Sequence, residues 1–422
     1  MKLKHGVLCA LFAIAVYETD RAHAAFENYN SVLIGDRAAG MGGAYTALSD
    51  DPAACAFYNP AAIARMRGHS LSATANVYHK YDTRIGTRAD DLSDAPTRIN
   101  QGVFKSIPAS SGSVSAFGNF ALGLSIIIPE YDFYAGEVEN KVEGGESTNT
   151  FMSILDESLW VGGNIALNIT ETQSVGLTIY YTSRNLQRSV TDQTFSTFTR
   201  YTSEEKILAH NSLVYSLGYF QDIGDTWSLG MNFRFPSLEI SGRGSYFRSS
   251  FDGSLSNTPQ MAGANNIGTE TRIPMKIALG LAHEIPHKYT WSFDLTYYGS
   301  EAYDDMEQGP VSDRIENVPV VNVALGAEYY LKTWLKLRAG AFTNFSSAPP
   351  IDRTDRRYSD HIHMWGASAN LGVFTNEKVS FSFGGYYTGG AGESTQMIGQ
   401  RILERNKAKQ IFSMLVGSAY FF

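Results

Sequence analysis

From about His69 to the last residue, apolar and polar positions alternate one by one in run after run. In Trp227 to Phe235, WSLGMNFRF, the residues Trp227, Leu229, Met231, Phe233 and Phe235 share one face, and Ser228, Gly230, Asn232 and Arg234 share the other. The same pattern sets Trp291, Phe293 and Leu295 against Ser292, Asp294 and Thr296, and Met275, Ile277 and Leu279 against Lys276, Ala278 and Gly280. A period of two is the strand signature. A soluble antiparallel sheet with one wet face alternates in the same way, so the connections have to decide. Short turns near 168–172, 222–226, 285–288, 331–333 and 375–378, with a longer one at 108–113, alternate with long polar loops near 82–94, 130–150, 183–205, 242–269, 299–316, 346–359 and 389–406. Short connections on one side and long ones on the other describe an outer-membrane barrel.

These connections define about fourteen strands, near 69–81, 97–107, 114–129, 151–167, 173–183, 207–221, 226–241, 270–284, 289–298, 317–330, 334–345, 360–374, 378–388 and 408–422. The predicted fold is therefore all-β: a transmembrane antiparallel β-barrel with an N-terminal small helical hatch plugging the lumen. Such a barrel has to close, because an open sheet edge in lipid leaves backbone groups unpaired at a cost of several kcal/mol each. An even count brings both chain ends to the periplasmic side. The last strand, Gln410 to Phe422, ends on an aromatic residue after alternating apolar positions, a pattern that barrel-insertion machinery reads.

The hatch is expected over 25–67. Gly35 to Ala62, GDRAAGMGGAYTALSDDPAACAFYNPAA, has too little side-chain bulk to build its own core and is too apolar for a solvated tail. Asp50-Asp51-Pro52 and Asn59-Pro60 punctuate it, since proline lacks an N–H and restricts the residue before it. A flexible linker would share this composition. A phosphate loop would need a Lys-Ser or Lys-Thr after the glycines, and there is none. Before the hatch, Lys2, Lys4 and His5, an apolar run from Gly6 to Val16, and Ala22-His23-Ala24 predict a cleaved signal segment over 1–24. The barrel then takes 68–422.

Composition adds exclusions. The net charge of -8 gives no basic stripe for nucleic acid. Removal of the signal takes Cys9 with it and leaves Cys55 alone, so no intramolecular disulfide is expected. No nucleotide site or cofactor motif appears.

The chain resembles the FadL-like outer-membrane transporters of long-chain fatty acids and other hydrophobic compounds. The resemblance is carried by the opening stretch with its Asn59-Pro60-Ala61 turn, by Phe120 to Tyr131, by Ile273 to Tyr298 and by Val323 to Pro350. It implies a fourteen-stranded barrel closed by a hatch in which Gly35, Gly40, Gly42, Gly43, Asn59, Pro60 and Ala61 form the gate. It also implies that hydrophobic ligands enter from outside and leave sideways at a kinked strand. The extracellular loops are shorter than in the best-known members of that family.

Candidate ligand contacts follow from the inward phase. Arg234, Lys276, Lys336 and Arg338 would bind a ligand carboxylate, although ion pairs with Glu328 and Asp294 in a polar lumen account for them more simply. Tyr131, Phe133 and Tyr134 suit either a greasy groove for incoming ligand or the aromatic girdle at the lipid interface. Gly118 and Gly123 are candidates for a strand kink, or make room for the hatch. His361 and His363 share a strand face, but no further Cys or His completes a metal shell, and no Ser-His trio stands out, so neither a metal nor an enzyme is expected. The function read from all this is passive uptake of hydrophobic small molecules by a monomer surrounded by outer-membrane lipid and lipopolysaccharide. A secretion or surface-attachment scaffold and an open diffusion porin are the alternatives.

Overall fold

The computed structural model describes residues 27–422 apart from 87–96, 99–102, 142–146, 196–197, 256–257, 308–311, 352–359, 377 and 399–400. The expected signal segment lies outside the described residues. Fourteen antiparallel strands close into one barrel, the last pairing with the first from Phe421 and Ser70 to Lys407 and Ile85. The first six are His69–Ile85, Val103–Phe117, Phe120–Lys141, Ser147–Asn168, Gln173–Phe195 and Thr199–Ile223. The seventh and eighth each come in two pieces, Trp227–Arg234 with Leu238–Asp252, and Gln260–Ile267 with Lys276–Ile285. Tyr289–Tyr298, Val320–Lys332, Leu335–Asn344, Met364–Phe374, Val379–Ile398 and Arg401–Phe421 complete the wall.

Alternation sets the two faces as the sequence pattern requires. In the tenth strand Val321, Leu325 and Tyr329 are exposed to the outside, while Asn322, Gly326 and Glu328 are buried inside. Three expectations need correction. Residues 108–113 are not a turn but part of the second strand, and the hairpin turns instead at Gly118 and Asn119, between Phe117 and Phe120. Their small, turn-like composition serves close packing: a Cβ on Gly112 would lie 2.5 Å from the Ala53 nitrogen. Much of the expected loops 130–150, 183–205 and 389–406 is strand, because hairpins polar on both faces continue the ladder past the membrane. The sixth strand alone runs 25 residues, where a tilted span needs about 10. Finally, the seventh strand breaks at Phe235 to Ser237, where Pro236 cannot donate a ladder bond.

The N-terminal segment fills the interior. It forms two short helices, Asp36–Gly40 and Pro52–Tyr58, and a 3-10 turn, Pro60–Arg65, almost all of them buried. Asp51 caps the second helix by accepting from the Ala53 and Ala54 amides. Wall glycines make this fit possible. A Cβ on Gly112, Gly176, Gly218, Gly230, Gly340 or Gly417 would come within 2.6 Å of an atom of the segment. Gly218→Val should therefore push the Asn59 to Ala61 turn off the wall, at about 1–3 kcal/mol for overpacking. The check is ion leakage through reconstituted protein, which should rise.

Candidate functional site

At the base of the lumen, wall side chains hold the N-terminal segment by hydrogen bonds. Asp294 accepts from the Tyr45 and Thr46 amides at 2.8 Å and from the Thr46 hydroxyl at 2.7 Å. Asn59 donates to the Thr46 carbonyl at 2.8 Å and to the wall carbonyl of Tyr219 at 3.0 Å, and accepts from the Ala61 amide. Gly35, Gly42 and Gly43 have positive φ, so the bends between the helices depend on residues without a Cβ. Gly40 instead lets the first helix approach Asn370 and Arg338. Burial next to Asp36 pushes the Asp51 carboxyl above its ordinary range.

The charged floor is organised by Glu328, which is 1% exposed. Arg37 from the N-terminal segment reaches it at 3.0 Å, Arg338 at 2.7 Å and Lys336 at 3.4 Å. Arg37 also pairs with Asp50 at 2.8 Å. Lys336 and Arg338 are therefore wall ion pairs, and Arg37 on Glu328 with Asp36 beside Arg338 ties the N-terminal segment to them. Across the lumen Arg65 pairs with Asp222 and donates to the Glu171 carbonyl. Glu328→Gln would leave three buried cations with Asp36, Asp50 and Glu284 as their remaining carboxylates among the described residues, and losing one partner of such a network typically costs about 3–5 kcal/mol. We expect a lower unfolding temperature and faster proteolysis within 27–66, both measurable on the purified barrel.

Arg234 and Lys276 behave differently. They face each other directly on the seventh and eighth strands and are both buried. Neither has a carboxylate within ion-pair distance among the described residues; Asp294, on the ninth strand, turns Oδ2 to Tyr45 and Thr46 instead. Their surroundings are aromatic. Arg234 lies 5.6 Å from the Trp160 ring centre and 5.8 Å from that of Tyr298, and the Lys276 ammonium lies 4.8 Å from the centre of Phe57. Two like charges opposed across a ladder repel, and ring faces offset only part of the cost of burying them. The arrangement suits an anion with an apolar tail.

An apolar cluster connects this pair to a defect in the wall. Trp160, Tyr180, Ile127 and Tyr131 are buried in it, with Phe57, Ile128 and Phe133 packed against them. The second and third strands pair only from Phe117 and Phe120 to Ser110 and Ile127. Beyond that point, among the described residues, the second strand stays with the first as far as Val103. The third stays with the fourth after a register shift between Ile127 and Glu130, where Pro129 interrupts the ladder. The upper third strand leans on its neighbours from within: the Tyr81 hydroxyl donates to the Tyr131 carbonyl, Asp132 pairs with Lys409 at 2.9 Å, and Tyr134 packs on Ile85. Tyr131 is thus an interior residue and not part of a girdle at the lipid interface. Outside this seam Leu124 and Ile126 are exposed.

The irregularity is not at the expected glycines. Gly118, at φ +62°, forms the periplasmic turn, and Gly123 sits in unbroken register between Val114 and Asn164, whose side chain takes up its space. His361 and His363 bond the Ala348 carbonyl and the Ser346 amide, respectively. Sequence reasoning missed Trp160 and Tyr180. The signal was available: each is an aromatic residue on the polar phase of its strand, flanked by exposed Leu159 and Val161, and by Ile179 and Tyr181.

A closed barrel carrying a wall-anchored plug, buried cations and an interrupted seam defines a plugged membrane barrel. The sequence profile of the family described as outer membrane protein transport protein (OMPP1/FadL/TodX) matches residues 24–357, and the chain belongs to that family. Its fold is similar to that of a Pseudomonas aeruginosa FadL homologue, with 15% identity, coverage of 94% of this chain and 100% of the other, and a TM-score of 0.70. The toluene transporter TodX of P. putida (12% identity, 94% and 99% covered, TM-score 0.62) and the toluene transporter TbuX of Ralstonia pickettii (12%, 93% and 100%, 0.60) share it. No curated protein matches the sequence.

Proposed function

We propose that this protein lets hydrophobic small molecules cross the outer membrane passively, and that its preferred cargo is a long-chain carboxylate. The observation that carries this reading is the opposed, unpaired pair Arg234 and Lys276 on an aromatic floor. A neutral hydrocarbon of the kind named for TodX and TbuX would leave both cations as they are, whereas a carboxylate satisfies them with charge-assisted bonds. The apolar tail then follows Trp160, Ile127 and Ile128 toward the seam. Leaving downward would mean crossing the Glu328 and Arg65 ion pairs, so the exit is lateral, between the second and third strands. The gate is the hatch, 25–67, released from the wall at Asn59, Pro60 and Ala61.

In this reading residues 1–24 are a removed export signal, 68–422 form the barrel, and the protein works as a monomer without a cofactor or a catalytic reaction. Outward apolar residues meet outer-membrane lipid and lipopolysaccharide, and the terminal strand is recognised by the insertion machinery. The test is saturable quenching of Trp160 fluorescence by a long-chain fatty acid in nanodisc-embedded protein. Equal affinity for the acid and its methyl ester would remove the carboxylate from the account.

A further inference from the structure

Above Arg234 lies a polar cavity lined by Tyr29, Glu130, Ser158, Arg184, His210 and Thr271, among others. Glu130, Ser158, Arg184 and His210 stand in one row across the third to sixth strands. The break in the eighth strand covers them with Thr271 to Pro274. There is room for about one water-sized group.

Most polar groups of the lining are committed to one another, and one buried acceptor and the Tyr29 hydroxyl are left over. The Arg184 guanidinium is committed to Asp156 through bonds of 2.9 and 2.5 Å, and reaches the Thr271 hydroxyl at 3.3 Å. The Ser158 oxygen accepts from the Trp160 indole, and the Thr182 and Ser212 hydroxyls bond each other. His210 Nδ1 lies 3.1 Å from the Thr269 carbonyl, which can only accept, so Nδ1 carries the proton. In the neutral ring Nε2 is then an acceptor. It is buried without a partner, on a side chain only 2% exposed. Glu130 is not such a case, because the Ser158 hydroxyl donates to its carboxylate. A buried acceptor left unpaired, as His210 Nε2 is, calls for a donor.

The cavity shares a wall with the cation pair. Arg234 donates to the Pro274 carbonyl at 3.2 Å, and Tyr29 stacks on Tyr298 at 4.2 Å between centres. A carboxylate held by Arg234 and Lys276 would place its first few carbons beside the cavity. We propose that the cavity is a hydroxyl subsite and that the cargo is an apolar acid hydroxylated near its carboxyl end, the hydroxyl donating to His210 Nε2. This inference rests on the carboxylate reading above and narrows it.

The experiment compares dodecanoate, 3-hydroxydodecanoate and 12-hydroxydodecanoate on the nanodisc-embedded full-length protein, with dodecanol and 1,3-dodecanediol as a pair lacking the carboxylate. We expect the 3-hydroxy acid to bind about tenfold tighter than dodecanoate, as one hydrogen bond to a buried acceptor implies. The 12-hydroxy acid should gain nothing. His210→Leu should bring the ratio close to one with dodecanoate affinity unchanged, and His210→Gln, which retains an acceptor, should restore part of the preference. Equal affinity of the first two acids, or a preference that survives His210→Leu, overturns the proposal and leaves the cavity as a water site only. If no acid binds but the diol still outbinds dodecanol, the carboxylate reading fails while the hydroxyl subsite stands.

Discussion

Replacing Arg234 and Lys276 together with methionine is expected to weaken binding of a long-chain fatty acid by about two to four orders of magnitude. Each lost bond to a charged group contributes roughly 1.5–3 kcal/mol, and about 1.4 kcal/mol is a factor of ten. Methionine keeps much of the side-chain volume, so the aromatic floor of Trp160, Phe57 and Tyr298 is expected to remain. The same variant should unfold no more easily than the parent, because it removes two like charges that oppose each other on adjacent strands. Binding lost while stability is kept is the signature of residues held for a ligand. If they were wall ion pairs, stability would fall and affinity would stay. Isothermal titration and thermal unfolding of the double variant separate the two.

Excising residues 27–66 is expected to have the largest effect on permeability. The segment occupies the lumen at the level where Gly176, Gly218, Gly230 and Gly340 bring the wall against its backbone, so its removal leaves an opening lined by Asn232, Asp294, Glu328 and Arg338. Planar-bilayer recordings should show a closed barrel turning into a steadily conducting one. Heat-modifiable migration on a gel would show that the barrel still closes. A folded variant with unchanged conductance would mean that the segment is not the seal.

Most of the wall was legible because a membrane barrel obeys one simple rule: lipid outside and lumen inside force strict alternation, and Trp227 to Phe235 shows it without the structure. Strand ends were less legible. Above the membrane both faces are wet, so the upper parts of the third to sixth strands read as loop although their backbones stay paired. The stretch from Pro108 to Ser113 misled for a different reason, since its small residues serve contact with Ala53 and not a turn. In the site, Lys336 and Arg338 follow the simpler expectation of ion pairs with Glu328, while Arg234 and Lys276 do not. Part of that difference is that Asp294 turns Oδ2 to Tyr45 and Thr46 and does not reach Lys276, a contact across about 250 residues that no local pattern encodes. The seam was expected at glycines but falls at Ile127 to Glu130, where the absent N–H of Pro129 matters more than flexibility.

The most direct test of the route is photolabelling with a diazirine-bearing long-chain fatty acid, applied to the protein in native outer-membrane vesicles and mapped by mass spectrometry. The account predicts labels on Phe57, Trp160, Ile127, Ile128 and Tyr131, competed away by unlabelled acid. Competable labels gathered instead on Tyr330, Lys336 and Phe374, beneath the charged floor, would contradict it.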